Sequence, residues 1–319
     1  MKIVETFAEV RAARSGTVAL VPTMGFLHEG HVACLAEGRR WADQVVMSLF
    51  VNPLQFDHPD DLARYPRDLD RDAAIAEEAG VDVLFAPPLE EMYPDDPVVR
   101  VHVSTVSEGM EGVHRPGHFD GVATVVAKLF AGIVPDVACF GRKDAQQLAV
   151  VTRMAADLSF PLEIVGVSTV REHDGLALSS RNVFIEDRTA ALGLSRGLFA
   201  AADAVTAGER RGAELEGVVA RTVAAAGCDL DYATLADAAT AEELFLLDRP
   251  AFLAVAARVG EVRLIDNVFL YPNGTADLGT RLDLPSVLYE HGPAWGRGPH
   301  AREEGGDGAP PRSGQHRRE

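Results

Sequence analysis

The sequence predicts an α/β fold, a doubly wound and mostly parallel sheet joined to a smaller C-terminal α+β domain. Three observations predict it. Up to residue 187, short apolar runs alternate with helical stretches, and most runs leave through a loop marked by Gly or Pro. After Glu186 the texture changes to an Ala/Leu-rich helical stretch followed by longer strand-like runs. Alternation of the first kind gives parallel strands with crossover helices on both faces, and ligands on such sheets bind beyond the carboxyl ends of the strands.

The elements follow in order. Residues 1–16, MKIVETFAEVRAARSG, scatter charges through a helical pattern and carry no basic leader followed by an apolar run. TVALVP (17–22), QVVMSLFV (44–51), VDVLFAP (81–87), DVACFG (136–141) and LEIVGVSTV (162–170) read as the strands. Helices are expected near 29–42, 68–79, 120–134 and 143–158. In the second region DLDYATLAD (229–237), AFLAVAARV (251–259) and VRLIDNVFL (262–270) read as strands. The expected division is a catalytic domain over 1–187, a smaller α+β domain over 188–290, and a mobile Gly/Pro/Arg-rich tail over 291–319.

Composition narrows the function classes. The 319 residues, 47 % of them hydrophobic, suit a soluble globular protein, and no stretch approaches the eighteen apolar residues of a membrane span. Cys34, Cys139 and Cys228 sit far apart in apolar stretches without a CxxC pair, as reduced core residues of a cytoplasmic protein do. The formal charge of −18, from 48 acidic and 30 basic residues, opposes broad binding to nucleic acid. An anionic substrate must be held locally, by a helix N-terminus, a few convergent basic side chains and a metal ion.

Four stretches supply such groups. VPTMGFLHEGHVACL (21–35) leaves a strand, turns at Gly25 and starts a helix near Glu29, so that His28 and His31 lie one turn apart where the helix dipole favours an anion. A phosphate fits that place. The same spacing also fits an N-cap region with incidental histidines, or half of a zinc site, although no Cys is near and the HExxH order is absent. FVNPLQF (50–56) ends its strand in the neutral polar groups of Asn52 and Gln55, suited to a hydroxylated ligand, or else in a plain Asn-Pro turn. FGRKDAQQL (140–148) leaves through Gly141 and offers Lys143 as a point charge, Asp144 as a ligand for Mg²⁺, and Gln147. REHDGLALSSRNVFI (171–185) gathers Ser179, Ser180 and Arg181 in one Gly-containing loop, a group suited to an oligophosphate.

Taken together, PTMGFLHEGH, FVNPLQF, RYPRDL, HRPGHFDGVATVVAKLF, GRKDAQQ and DGLALSSRN resemble the pantothenate synthetase family, the pantoate–β-alanine ligases of the HxGH nucleotidyltransferase-like superfamily. The similarity continues more weakly through VRLIDN near residue 267. The resemblance implies a Rossmann-like catalytic domain and an ATP-dependent condensation of pantoate with β-alanine through pantoyl adenylate, releasing pyrophosphate and AMP. It also implies Mg²⁺ as a companion of ATP and a homodimer.

Residue by residue, the resemblance assigns Met24, Gly25, Phe26, Leu27, His28, Glu29, Gly30 and His31 to the ATP loop, with His31 the residue usually assigned as proton donor. Gly141, Arg142, Lys143, Asp144, Val170, Leu178, Ser179, Ser180 and Arg181 complete the nucleotide site. His28, His31, Lys143, Ser179, Ser180 and Arg181 are the expected catalytic groups, Asp144 the candidate metal ligand, and Gln55 and Gln147 the pantoate and β-alanine site. Arg142 departs from the family's usual glutamate and is expected to point to solvent. Arg115 and His118 lie in a loop that suits a lid or a structural turn. Two rivals share much of this pattern: a nucleotidylyltransferase acting on a phosphorylated acceptor, against which the uncharged Gln55 and Gln147 pair argues, and a regulatory module that binds nucleotide without chemistry.

Overall fold

The structure is a computed structural model that describes residues 1–57 and 59–290, so the tail expected over 291–319 lies outside the described residues. The chain runs β1 (Lys2–Val4), α1 (Phe7–Ala13), β2 (Val18–Thr23), α2 (Glu29–Trp41), β3 (Gln44–Leu49), α3 (Pro59–Arg64), α4 (Leu69–Glu78), β4 (Val83–Phe85), α5 (Leu89–Met92), α6 (Glu111–His114) and α7 (His118–Ile133). It continues through β5 (Val137–Gly141), α8 (Ala145–Asp157), β6 (Glu163–Val167), β7 (Val170–Arg171), α9 (Arg188–Thr206) and α10 (Gly212–Ala225). The last elements are β8 (Asp229–Asp237), β9 (Ala251–Val259), β10 (Val262–Leu270), β11 (Ala276–Asp277), β12 (Thr280–Arg281) and α11 (Val287–Glu290).

Among the described residues, six parallel strands form one sheet in the order β1-β4-β3-β2-β5-β6. Successive residues of β2 bury on opposite faces. Val18 and Leu20 join α1, α7 and α8, while Ala19 and Val21 join α2 and α4, which is why the strand reads as a continuous apolar run. The chain turns to one side of β2 to make β3 and to the other to make β5, so the crevice of this doubly wound sheet opens beyond Thr23 and Gly141.

Three local readings change. Lys2–Val4, expected to continue a helical pattern, is an edge strand paired with Val83–Phe85; three residues are too few to show a period. The helix after it starts at Phe7, where Thr6 and Glu9 cap each other in a capping box. LEIVGVSTV is two strands, because the chain leaves the main sheet after Val167 and Val170 pairs instead with Thr280 of β12. The helical stretch after Glu186 is a pair of helices, α9 and α10, broken around Gly208.

The C-terminal sheet is antiparallel in the order β11-β10-β9-β8. One face packs on α9 and α10 through Leu253, Val255, Leu198 and Val219, and the other sends Phe252 and Phe269 into the core beneath α7 and α8. Beyond β12 the chain returns across the first region. The Ser286 hydroxyl and the Val287 amide donate to the Glu29 carboxylate at 2.5 and 2.8 Å, Leu288 is fully buried, and the Tyr289 hydroxyl donates to Glu172 at 2.7 Å. No helix among the described residues is long and apolar enough to cross a membrane.

Candidate active site

Four loops reach the crevice, and the first is built around a glycine-for-imidazole fit. His28 is the extended residue that caps α2; its Nδ1 accepts from the Gly30 amide at 3.1 Å, and the His31 Nδ1 accepts from the His28 amide at 3.2 Å. A Cβ on Gly30 would lie 2.8 Å from the His28 ring, so the glycine between the histidines is what lets the imidazole fold back over the helix start. Because each Nδ1 accepts, each Nε2 carries the ring proton. The rings stand 4.2 Å apart, and both residues line one cavity.

Electrostatics hold these rings neutral. Burial pushes His28 well below the usual histidine range, helped by His31, Lys143 and Arg71. Burial likewise brings His31 down to about 4, with Asp144 opposing and Arg71 assisting. At neutral pH the pair therefore offers two N–H donors without charge.

A buried carboxylate sets the preceding loop. Asp72 accepts from the amides of Phe26 and Leu27 at 2.7 and 2.8 Å and pairs with Arg71 at 3.1 Å, while Arg71 also donates to the Leu27 carbonyl and lies 4.9 Å from the Phe26 ring centre. Gly25, at φ +88°, is required twice over: its backbone is left-handed, and a Cβ would stand 2.8 Å from the Asp72 carboxylate. Phe26 and Leu27, expected in the ATP loop, turn their side chains fully into the core.

On the second loop, Asn52 donates to the Gln55 Oε1 at 3.1 Å and accepts from Tyr93, which leaves the Gln55 amide N–H groups for a ligand. His118 donates to the Gln55 carbonyl at 2.8 Å and accepts from Arg115 at 3.1 Å, so the loop raised as a lid is bonded down onto the site. The third loop brings Lys143, mostly buried and 3.4 Å from Asp144, to the same crevice. Arg142 does not point to solvent: its guanidinium pairs with Asp277 at 2.9 Å and lies 5.0 Å from the Phe269 ring centre, because the C-terminal sheet covers that side of the turn. On the fourth loop Ser179 caps the turn Ser180–Phe184, and Ser180 bonds to the Tyr65 hydroxyl.

A cavity of about 280 Å³ brings together Met24, His28, Gly30, His31, Gln55, Gly141, Lys143, Asp144, Gln147, Val170, Leu178, Ser179, Ser180 and Arg181. It opens into a larger cleft of about 690 Å³ that reaches Tyr232, Arg263 and Asn267 of the C-terminal sheet. Gly25, Phe26, Leu27, Glu29 and Arg142 do not line the smaller cavity. The Glu29 carboxylate is taken by Ser286 and Val287 instead. Sequence reasoning missed Arg71, Asp72 and Asn267. The first two lie just past RYPRDL and the last ends VRLIDN, so the signal was similarity without a visible chemical role.

The buried histidines predict an acid limit to stability. His28, His31 and His118 all have folded pKa values lowered chiefly by burial, the last two to about 4 against an ordinary 6.5. Between those values the unfolded chain takes up protons that the folded chain resists, so stability present above pH 6.5 is lost as pH falls toward 4. Urea midpoints should fall less steeply over that window in His118→Asn, whose amide can replace the donor to Gln55. An equal slope in both proteins would show that His118 titrates normally.

Comparison with known proteins agrees with this architecture. A family model described as pantoate-beta-alanine ligase matches residues 2–269. A pantothenate synthetase of Heliobacterium modesticaldum is 49 % identical over 277 residues, 84 % of this chain and 99 % of the relative. One of Corynebacterium efficiens is 51 % identical over 266 residues, 80 % and 92 % of the two chains. The crystal structure of pantothenate synthetase from Thermus thermophilus superposes with a TM-score of 0.81 at 49 % identity, covering 85 % of this chain and all 100 % of the other. The Francisella tularensis pantoate-beta-alanine ligase, complexed with beta-gamma ATP and beta-alanine, gives a TM-score of 0.65 at 31 % identity over 84 % and 97 %.

Proposed function

The chain belongs to the pantoate–β-alanine ligase family, and from that premise we infer how its residues divide the work. It condenses pantoate with β-alanine at the expense of ATP. The pantoate carboxylate attacks the α-phosphorus, the bond to the bridging oxygen breaks, and pyrophosphate leaves. The β-alanine amine then attacks the acyl carbon of pantoyl adenylate and AMP leaves. Such chemistry asks the protein to gather charge at the phosphates, align the reactants and keep water from the mixed anhydride.

The observation that carries the assignment is the pair of Nδ1 bonds in the histidine turn. They leave both Nε2–H groups as preset neutral donors, so His28 and His31 serve the phosphate oxygens as charge steadily builds there. His31, with its pKa near 4, acts in this reading as a hydrogen-bond donor and not as an acid that surrenders its proton. Lys143 and Arg181 neutralise phosphate charge, Ser179 and Ser180 hydrogen-bond the phosphates, and Gly30, Gly141, Met24, Val170 and Leu178 shape the nucleotide wall. Gln55 and Gln147 hold pantoate and β-alanine through amides that add no full charge. The region 1–187 is then the catalytic domain, and 188–290 the smaller domain that closes the cleft.

Magnesium fits as part of the nucleotide and not as a resident ion. No cluster of three or more His, Cys, Asp or Glu among the described residues is arranged to hold a metal, and Asp144 offers one half-exposed carboxylate. Bound with ATP, Mg²⁺ would offset charge on the triphosphate, with Asp144 as its single protein ligand. A homodimer, on family resemblance alone, and a cytoplasmic location, on the three free buried cysteines, complete the reading, and sedimentation of the purified chain tests the assembly.

Incubation with ATP, Mg²⁺ and pantoate, with and without β-alanine, tests the function. Pyrophosphate should require pantoate, and sustained AMP release should require the amine. Within the same assay Gln147→Ala should raise the KM for pantoate by about tenfold or more, the size of one lost hydrogen bond to a charged group, with little change for ATP. Equal losses for both substrates would reject the division between the two subsites.

A further inference from the structure

We propose that Asn267, on β10 of the C-terminal sheet, is a positioning residue for Lys143. The proposal rests on the assignment of Lys143 to the nucleotide site. Asn267 is 3 % exposed, and its Nδ2 donates to the carbonyls of Arg142 and Lys143 at 3.0 and 2.6 Å. Its Oδ1 has no partner. The amide is therefore oriented by the two carbonyls, since turning it over would set oxygen against oxygen.

The side chain of the same turn is held from the same sheet. Arg142 pairs with Asp277 of β11, which also accepts from Ser168 at 2.8 Å. The backbone carbonyls of residues 142 and 143 and the side chain of Arg142 are thus all held by the C-terminal region, and the Arg142 charge is paired with Asp277 while the Lys143 ammonium pairs with Asp144. The neighbouring loop shares this reference, because Arg171 donates to the Asn267 carbonyl at 3.0 Å.

A lysine ammonium rides on a flexible four-carbon stem, so its charge is well placed only if its backbone is. A misplacement of about 1 Å at a reacting centre can cost about 10²-fold in rate. Asn267 touches no reacting atom in this arrangement and acts through the backbone of Lys143. A purely structural residue would instead lower the melting temperature and leave turnover of the folded fraction unchanged.

The test is a double-mutant cycle read as pantoate-dependent pyrophosphate release. Asn267→Ala should lower kcat by up to about 10²-fold with little change in the KM for pantoate. In a Lys143→Ala background it should add no further loss, because a residue acting only through Lys143 has nothing left to position. Undiminished kcat in Asn267→Ala, or losses that add in the double variant, would overturn the proposal. If Asn267→Ala does not fold, Arg142→Ala, which removes the partly exposed pair with Asp277 and the contact with the Phe269 ring, runs the same cycle on the same turn: a kcat loss that vanishes without Lys143 supports positioning of Lys143 from the C-terminal sheet, and no loss or an additive one overturns it. A wild-type chain that releases no pyrophosphate would instead point to failure of the functional reading itself.

Discussion

Replacing His31 with alanine is expected to lower the rate of adenylation by about 10²- to 10³-fold, the usual worth of one donor aimed at developing oxyanion charge. The size follows from when the donor matters. In the proposed reading its Nε2–H serves phosphate oxygens whose charge grows as the bond to pyrophosphate breaks, so the loss should fall mainly on kcat. Stability should change little, because the substitution frees only the His28 amide at a helix start, a change worth about 1 kcal/mol at ordinary caps. Adenylation, metal content and melting temperature measured on one sample decide the matter. Near-normal adenylation together with lost zinc and a large fall in melting temperature would replace the phosphate role by a structural metal.

The largest expected effect on stability lies at Asp266. Its carboxylate pairs with the fully buried Arg171 through bonds of 2.7 and 3.0 Å and also accepts from the Asn267 amide at 2.7 Å. Asp266→Ala leaves a guanidinium in the interior without its counter-charge, and breaking such a pair typically costs about 3–5 kcal/mol. A paired apolar replacement should not rescue it here, because Arg171 also satisfies the carbonyls of Gly175, Asn267 and Leu278. The urea midpoint should fall at an unchanged slope. A loss below about 1 kcal/mol would mean that water reaches Arg171.

The main sheet was legible because strands buried on both faces are continuous apolar runs, as β2 and β3 are. Lys2–Val4 was not, since a three-residue edge strand has no pattern of its own. Three loops of the site were visible as local groupings of His, Lys, Ser and Arg, and the second as the neutral polar pair Asn52 and Gln55. What holds them was not. Asp72 meets Phe26 46 residues back, and Asn267 meets Lys143 124 residues back, and nothing in either segment names its partner. Nor does a contiguous motif say which of its side chains face the ligand. Phe26 and Leu27 lend the loop their backbone amides and send their side chains to the core, and Glu29 spends its carboxylate on the far end of the chain.

That last contact moves the end of the working molecule. The last strand of the described residues closes at Arg281, yet Ser286 and Val287 still hold the helix that carries both histidines, and Tyr289 still holds the loop that carries the serines. A premature stop or a protease cut between 282 and 289 therefore strips contacts from two sides of the proposed nucleotide site, although among the described residues it removes no strand and no helix longer than one turn. Among the described residues Tyr289 is the last that bonds to these loops, so any shortened chain has to keep it.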